Sequence, residues 1–194
     1  MNKMIITFEG LDGVGKTSLI KYLSEFNNVN YSTLDNYFTI TKKEIDSPLY
    51  SFHYYKENIE QKLLEIDRNN TNNIILQDRY IGSVIGYYFL RRQKMPTIKE
   101  IQKIYDNFES SSVTFIFYTS FKNRKNRILS KKNICKYDFK SLKFNNIKFW
   151  NIFYNKLSYI DKNIFFIDTS RSIKEIANNV SFILTKKSNI SLKI

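Results

Sequence analysis

The chain has 194 residues, of which 42% are hydrophobic, so it holds enough apolar material for one packed domain and is not globally disordered. Its 31 Lys and Arg against 18 Asp and Glu give a formal net charge of +13, which suits an anionic partner: nucleic acid, a membrane surface or a phosphorylated substrate. Because Lys, Asn and Ile are abundant throughout, the bias favours compositional drift with an anionic small substrate over a dedicated nucleic-acid surface.

Other features narrow the setting. No apolar run approaches the roughly 18 residues that a membrane span needs, and Glu9 comes too early for a secretory signal peptide. The single cysteine, Cys135, rules out an intramolecular disulfide and argues against a Cys-based metal site. We expect a cytoplasmic protein without a membrane or nucleic-acid partner.

The order of apolar runs predicts the fold class. In chain order we predict a strand over 4–8, a helix with apolar residues from 19 to 26, a strand over 30–34, a helix over 50–66, a strand over 74–76, helices over 81–92 and 98–108, a strand over 113–118, a basic helix-to-loop stretch over 124–136, a helix over 144–160, a strand over 164–167 and a helix over 173–184. Continuously apolar strands are covered on both faces, which predicts a doubly wound parallel α/β sheet flanked by helices. We expect a single domain over 1–185 and a frayed tail over 186–194.

A phosphate-binding loop follows the first strand. Residues 10–17, GLDGVGKT, fit the pattern G-x-x-x-x-G-K-[ST] in its required place between a strand and a helix. Glycines let backbone N–H groups face phosphate oxygens, Lys16 places a charge on the β- and γ-phosphates, and the Thr17 hydroxyl can ligate Mg²⁺. The sequence therefore predicts ATP and Mg²⁺ as cofactors, with ATP held by Gly10, Gly13, Val14, Gly15, Lys16, Thr17 and Ser18.

Two acidic residues and an arginine extend this site. A carboxylate such as Asp12 would repel phosphates if it faced them, so it should point out of the loop, toward a hydroxyl of a second substrate. Asp78 and Arg79 follow a buried strand at the edge where open α/β sheets bind ligands. Asp78 can position Mg²⁺ through water, and Arg79 can clamp two phosphoryl oxygens.

Three segments, in family order, resemble those of thymidylate kinases. Residues 8–17 (FEGLDGVGKT) resemble the opening of that family, and residues 167–176 (IDTSRSIKEI) resemble its late I-D-A-S-x-S-I-E-E-V segment. Residues 78–87 (DRYIGSVIGY) are similar to D-R-Y-x-x-S-x-x-A-Y, with Gly86 at the alanine position. The resemblance implies a P-loop NTPase-type kinase domain, Mg-ATP-dependent phosphorylation of dTMP to dTDP, and a homodimer.

The resemblance also implies a role for each matching residue. Asp12 would take the 3′-hydroxyl, Ser83 would line the base site, and Tyr87 would lie against the sugar, where a ribose 2′-hydroxyl would clash. Thr17 and Asp78 would hold Mg²⁺, and Arg79 would grip the monophosphate. The implied catalytic residues are Lys16, Asp78, Arg79 and Arg127.

The residue that stacks on the base is open between two alignments. It could be Phe52, with Lys56 four positions later, or Tyr54 with Asn58. The competing interpretation for both aromatic residues is core packing of an amphipathic helix.

A basic segment corresponds to the family's mobile lid, over about 121–140. Phosphoryl transfer needs a further cation near the β- and γ-phosphates, and Gly13 and Val14 of the loop cannot supply it. The segment resembles the lid pattern R-I-x-x-R, with Arg127 and Lys131 as the two candidates. The competing interpretation is a solvated basic helix face.

One departure bears on the substrate. The family carries a monophosphate-binding Arg after the second strand, whereas residues 33–38 read TLDNYF, so Lys42 or Lys43 would have to substitute. Two alternatives stay open: a related P-loop kinase acting on a deoxynucleoside or another monophosphate, and a non-catalytic nucleotide- or nucleic-acid-binding P-loop protein.

Overall fold

At least one helix separates each pair of successive strands along the described chain. The computed structural model describes residues 4–27, 29–33, 47–69, 74–132, 134, 136–188 and 192. Its elements are β1 Met4–Glu9, α1 Lys16–Phe26, β2 Asn30–Thr33, α2 Pro48–Asn69, β3 Ile74–Asp78, α3 Ile81–Arg91, α4 Ile98–Tyr105, β4 Val113–Tyr118, α5 Phe121–Leu129, α6 Lys136–Ser141, α7 Phe144–Ile160, β5 Ile164–Asp168 and α8 Ile173–Ser188.

The five strands form one parallel sheet in the order β2-β3-β1-β4-β5. The predicted doubly wound α/β fold is therefore confirmed. In the register of β1 and β3, Phe8 lies opposite Asp78, so the phosphate loop after β1 and the segment after β3 leave the sheet side by side. The Arg79 N–H donates to the Phe8 carbonyl at 3.0 Å, which ties the two segments together.

Successive residues of β1 point to opposite faces of the sheet, and each face has its own core. Ile5 belongs to a cluster with α2, α3, α4 and α7, which includes Ile85 and Phe153. Ile6 belongs to a cluster with α1 and α8, which includes Leu19. Both faces of the strand are covered, which explains why most of its residues are apolar; its two polar residues, Thr7 and Glu9, are buried as well.

Two expectations about the second half of the chain need correction. The last helix does not end at 184, because α8 continues to Ser188; Leu192 is also buried, with its carbonyl accepting from Ser181 Oγ at 3.1 Å. The short helix α6 was missed. Its Asp138 is buried and its Phe139 exposed, so no apolar periodicity marks it. No helix in the described part of the chain is long and apolar enough to cross a membrane.

Candidate active site

The phosphate loop keeps its backbone free for a ligand. A β-carbon on Gly10 would lie 2.5 Å from the Phe117 carbonyl oxygen, and one on Gly13 would lie 2.9 Å from Ile128 Cγ1, so neither position accepts a side chain. α1 begins at Lys16, and its N-cap, Gly15, offers no side-chain hydrogen bond to the first turn. The N–H groups of that turn remain available to an anion.

Lys16 lies within this loop and is almost fully buried. Its Nζ donates to the carbonyl oxygens of Gly10 at 2.9 Å and Leu11 at 3.1 Å. Burial, helped by the nearby Arg79 cation, lowers the pKa of Lys16 to about 8. The ammonium group is thus poorly solvated, and phosphate oxygens would stabilise its charge.

Thr17 and Asp78 form a hydrogen-bonded pair at the end of β3. The Thr17 hydroxyl donates to Asp78 Oδ2 at 2.6 Å. The other carboxylate oxygen, Oδ1, is buried and has no hydrogen-bond partner among the described residues. A buried carboxylate oxygen without a donor, beside a hydroxyl, fits the oxygen ligands and ordered waters that Mg²⁺ prefers.

Asp12 and Arg79 form an ion pair across the gap between the two segments. Arg79 Nη2 lies 2.5 Å from Asp12 Oδ1, and both side chains are partly exposed. Burial disfavours the ionised form of Asp12, but Arg79 and Lys16 outweigh it and hold the pKa of this carboxyl below its ordinary value. Arg79 has a φ of 66°, and Gln77 Nε2 donates to its carbonyl at 2.8 Å.

Glu9, which the sequence analysis did not single out, anchors the start of α3. Its Oε1 accepts from the N–H groups of Tyr80 at 2.8 Å and Ser83 at 2.9 Å. Its Oε2 accepts from the hydroxyls of Ser83 at 2.6 Å and Tyr154 at 3.3 Å. The carboxylate is fully buried and caps the helix N-terminus, where negative charge is favoured.

Ser83 therefore lies beneath the site. It is fully buried, its hydroxyl accepts from Arg79 Nη1 at 3.2 Å, and it is absent from the described cavity walls. Ser83 thus lines neither described cavity, and its place at a base site stays a prediction. It links Glu9 to Arg79, a role that depends on the packing of α3 against β1.

Two cavities meet at the Asp12–Arg79 pair. The phosphate cavity, of about 480 Å³, is lined by the phosphate loop, the start of α1, Asp78, Arg127, Lys131, Thr169 and Arg171, among others. The aromatic cavity, of about 850 Å³, is lined by Tyr55, Tyr87, Phe149 and Trp150, with the basic side chains of Arg91, Lys94 and Lys140. Of the described residues, only Asp12 and Arg79 line both.

Tyr87 lines the aromatic cavity, and its contact with a sugar stays a prediction. Its ring meets the edge of Trp150 at 5.0 Å between centroids, and the guanidinium groups of Arg91 and Arg79 lie 5.4 and 5.8 Å from its centroid. Arg91 also lies 5.8 Å from the Tyr55 ring centroid. The cavity thus combines flat apolar walls with cations.

Neither candidate for base stacking lines this cavity. Phe52 packs against Tyr88 and Phe108, and Lys56 pairs with Glu60. The alternatives, Tyr54 and Asn58, are buried. α2 instead presents Tyr55 to the cavity. The sequence does not single out Tyr55, because an apolar stripe on a helix has the same spacing whether it faces a core or a cavity.

The predicted lid segment begins with α5, which packs on the phosphate loop. Arg124, which the sequence analysis did not select, is buried and donates through Nε to the Asp12 carbonyl at 3.0 Å. Arg127, one turn later, lines the phosphate cavity. Its Nη1 donates to the Val14 carbonyl at 3.2 Å and its Nη2 to the Thr169 carbonyl at 2.6 Å.

Lys131, the other candidate cation of the lid, also lines the phosphate cavity and pairs with Asp138. The spacing of Arg124 and Arg127 is the sequence signal that could have identified the first arginine, since residues three apart share a helix face. Lys42 and Lys43, the suggested substitutes for the missing arginine, lie outside the described residues.

Comparison with known proteins supports the fold. No protein-family model matches the chain. No curated protein matches it either. Among solved structures, thymidylate kinase from Candida albicans superposes with a TM-score of 0.68 at 15% identity, covering 99% of this chain and 97% of that one. Deoxyadenosine kinase from M. mycoides, solved with bound dATP, superposes with a TM-score of 0.62 at 16% identity, covering 94% of this chain and 100% of that one. The chain thus has the fold of the P-loop nucleotide kinases, in agreement with its resemblance to thymidylate kinases.

Proposed function

We propose that this protein transfers the γ-phosphoryl group of ATP to dTMP, giving ADP and dTDP. The observation that carries the proposal is the junction of two cavities at Asp12 and Arg79. One cavity has the donors that a polyphosphate needs, and the other has the shape and charge of an acceptor site. A phosphoryl group passing between them would move past the Arg79 guanidinium.

On the donor side, the chain supplies positioning and charge. The loop N–H groups, the start of α1 and Lys16 would hold the phosphates, while Thr17 and Asp78 would hold Mg²⁺. Bound Mg²⁺ would neutralise part of the phosphate charge. Arg127, at the wall of the same cavity, is the candidate for the additional cation.

On the acceptor side, the cations favour a substrate that already carries phosphate. Arg79, Arg91, Lys94 and Lys140 line the aromatic cavity. The attacking oxygen of a monophosphate is an anion, so this reaction needs positioning and charge stabilisation more than a general base. By resemblance, Asp12 would accept from the 3′-hydroxyl and Tyr87 would exclude a 2′-hydroxyl, which makes the acceptor a deoxynucleotide.

A second candidate is a deoxynucleoside kinase. A nucleoside must lose a proton from its 5′-hydroxyl as it attacks, and Asp12 offers an ionised carboxylate at the junction. The fold is compatible with this candidate too, since deoxyadenosine kinase shares it. The ion pair of Asp12 with Arg79 favours the first candidate, because it reduces the basicity of the carboxylate.

Measurement of ADP release distinguishes these functions. The purified protein is assayed with Mg-ATP and, separately, dTMP, dUMP, CMP, AMP, GMP, thymidine and deoxyadenosine, with Lys16→Ala as the control. We expect dTMP to give the highest kcat/KM and Lys16→Ala to lose several orders of magnitude of activity. A higher kcat/KM for a nucleoside would establish the second candidate. Dependence on neither acceptor class would indicate a non-catalytic nucleotide-binding protein.

We infer from the same resemblance that the protein is a cytoplasmic homodimer. Sedimentation equilibrium at several protein concentrations tests the association. A mass that stays at the 23.2 kDa of one chain would contradict it.

A further inference from the structure

Helices α3 and α7 pack closely where Gly86 faces Trp150. A β-carbon built on Gly86 would lie 2.2 Å from Cζ3 and 2.4 Å from Cη2 of the indole. Both distances are far inside van der Waals contact, so no other residue fits without moving the ring. The pattern that this segment resembles has alanine at this position, so Gly86 is a departure that makes room for one particular side chain.

Trp150 is only 2% exposed, yet it forms part of the aromatic cavity wall. One face of the indole stacks on Tyr154 at 5.1 Å with an interplanar angle of 30°. The Tyr154 hydroxyl in turn accepts from the Gly10 N–H at 3.0 Å. Trp150 therefore rests on a side chain that is fixed to the phosphate loop, and it is a rigid part of the wall.

This packing of Trp150 restricts the position of the Tyr87 ring at the cavity wall. Trp150 meets Tyr87 edge to face at 5.0 Å and 77°, while Arg91 and Arg79 contact the Tyr87 ring. Tyr87 follows Gly86 directly on α3, so the glycine sets how deeply the indole sits and the indole limits where the tyrosine ring can go.

We propose that Trp150, admitted by Gly86, is a positioning residue that fixes the Tyr87 ring and thereby sets the preference of the acceptor site for deoxyribose over ribose. The proposal rests on the proposed function, because it assigns a cause to the selectivity of the same site. It goes beyond that function by placing the determinant on α7, outside the segment of α3 that would contact the sugar.

Kinetics with two acceptors that differ only at the 2′ position test the proposal. The kcat/KM ratio of dTMP to ribothymidine monophosphate is measured for the wild type and for Trp150→Phe. Phenylalanine lacks the outer part of the indole, so Tyr87 gains room to move aside for a 2′-hydroxyl. We expect the ratio to fall at least about tenfold, mainly because turnover of the ribonucleotide rises.

The reverse change should act on the acceptor alone. Gly86→Ala would push the indole toward the aromatic cavity or toward the neighbouring cavity of about 450 Å³ between α5, α7 and the ends of β4 and β5. We expect the KM for dTMP to rise about tenfold or more, with the KM for ATP unchanged. In the double variant the alanine methyl occupies the space that the indole leaves, so the KM for dTMP should recover toward the Trp150→Phe value.

Phe153→Leu serves as the matched control. Phe153 is fully buried and packs edge to face on Trp150 at 5.6 Å, but it is not among the described residues that line the aromatic cavity. Its replacement should lower stability and leave the deoxy-to-ribo ratio unchanged. An equal fall of the ratio in Phe153→Leu and Trp150→Phe would show that loss of packing, and not Trp150 itself, causes the effect.

Fluorescence supplies a readout that does not depend on turnover. Trp150 is the single tryptophan of the chain, and it lines the aromatic cavity but, among the described residues, not the phosphate cavity. We expect dTMP to change its emission in a saturable manner and Mg-ATP alone to change it less, since the phosphate loop reaches the indole only through Tyr154.

The outcomes distinguish failure of the positioning role of Trp150 from failure of the proposed kinase function. A wild-type ratio in folded Trp150→Phe, or no emission change on dTMP binding by an enzyme that turns dTMP over, overturns the positioning role of Trp150. If Gly86→Ala fails to fold, Trp150→Phe decides alone. An absence of turnover with any acceptor overturns the proposed function, and the selectivity proposal with it.

Discussion

Lys16 is a buried cation that the folded protein holds before any phosphate arrives. Its pKa of about 8 lies below the ordinary lysine value of 10.5 because charging it costs solvation. Charged Lys16 therefore opposes folding at neutral pH, while it prepares the loop to bind an anion. Stability and nucleotide binding make opposite demands on this residue.

The pH dependence of stability should show that conflict. We compare the free energy of unfolding of the wild type and Lys16→Met without nucleotide. Between pH 8 and 10.5 the unfolded wild type binds more protons than the folded one, so its stability relative to the variant should rise with pH, by at most about 1.4 kcal/mol per pH unit. Chemical denaturation at pH 7, 8, 9 and 10 measures the difference. A difference that is constant across this range would contradict the depressed pKa.

Asp12 should distinguish acceptors by their 3′-hydroxyl. Asp12→Asn removes the charge that pairs with Arg79, so we expect kcat/KM for dTMP to fall by about 10². The wild type should suffer a similar loss with 3′-deoxy-dTMP, whereas the variant should lose little more on that analogue. Steady-state kinetics of the wild type and the variant with both acceptors give the four kcat/KM values that this comparison needs. Additive losses would separate Asp12 from the 3′-hydroxyl.

At the scale of residues, the consensus loop could be predicted because each type in it has a backbone or charge requirement that is local. Ser83 and Glu9 could not. The role of Ser83 comes from the packing of α3 on β1, and Glu9 becomes a helix cap only because its strand ends beneath that helix. Such roles arise from contacts about 74 positions apart in the chain, which no local pattern records.

Helix α5 acts as a support for the phosphate loop in this structure. Arg124 holds the Asp12 carbonyl and the Ser141 carbonyl, while Arg127 joins the Val14 and Thr169 carbonyls. The two arginines lie on one face of the helix, but their exposure differs: Arg124 is buried and Arg127 lines the phosphate cavity. We expect this difference to separate their effects.

Replacement of each arginine by alanine tests that separation. Arg124→Ala leaves two carbonyls without their donor and should lower the free energy of unfolding by about 1–3 kcal/mol. Arg127→Ala should raise the activation free energy by about 2–4 kcal/mol, which lowers kcat, and should leave the KM for dTMP nearly unchanged. The reason is that a contact to the transferring phosphates strengthens in the transition state. Lys131→Ala is the comparison. If kcat is unchanged in the three single variants and in the double variant of Arg127 and Lys131, another residue, such as Arg79, must supply the additional cation.

The elements themselves were largely predictable, because continuous apolar strands and periodic helices each bury a face. The pattern could not predict whether that face packs against the core or lines a cavity. α2 reads as a core helix, yet its Tyr55 faces a cavity large enough for a ligand. α6 escaped because its buried residues, Asp138 and Ser141, are polar and are satisfied by local hydrogen bonds.

At the scale of the whole molecule, the five described strands form one sheet with a separate core on each face. The core with α1 and α8 extends to Leu192, which is 5% exposed and follows the end of the helix. The packed domain thus reaches beyond the predicted boundary at 185. Residues near the end of the chain contribute to the same core that supports β1 and the phosphate loop.

Leu192→Ala should therefore destabilise the protein without altering catalysis. We expect a loss of about 2–3 kcal/mol in the free energy of unfolding, in line with other buried leucines. The KM values for ATP and dTMP should not change. Leu64→Ala, at a leucine that is 47% exposed on α2, is the matched control and should have little effect. Urea denaturation of both variants measures the difference. Equal stabilities would show that Leu192 adds nothing to the core.

Arg79 combines a side chain that the proposed reaction needs with a backbone conformation that favours glycine. Its φ of 66° is left-handed, a conformation that costs most L-residues about 1–2 kcal/mol and glycine almost nothing. Selection for thermal resistance and selection for turnover should consequently diverge here. A library screened for survival on heating should enrich Arg79→Gly only where Asp12 is also replaced by an uncharged residue, because glycine alone leaves that carboxylate unpaired; complementation that requires phosphoryl transfer should retain arginine. The residue found at position 79 would then show whether a protein had been selected for stability or for turnover.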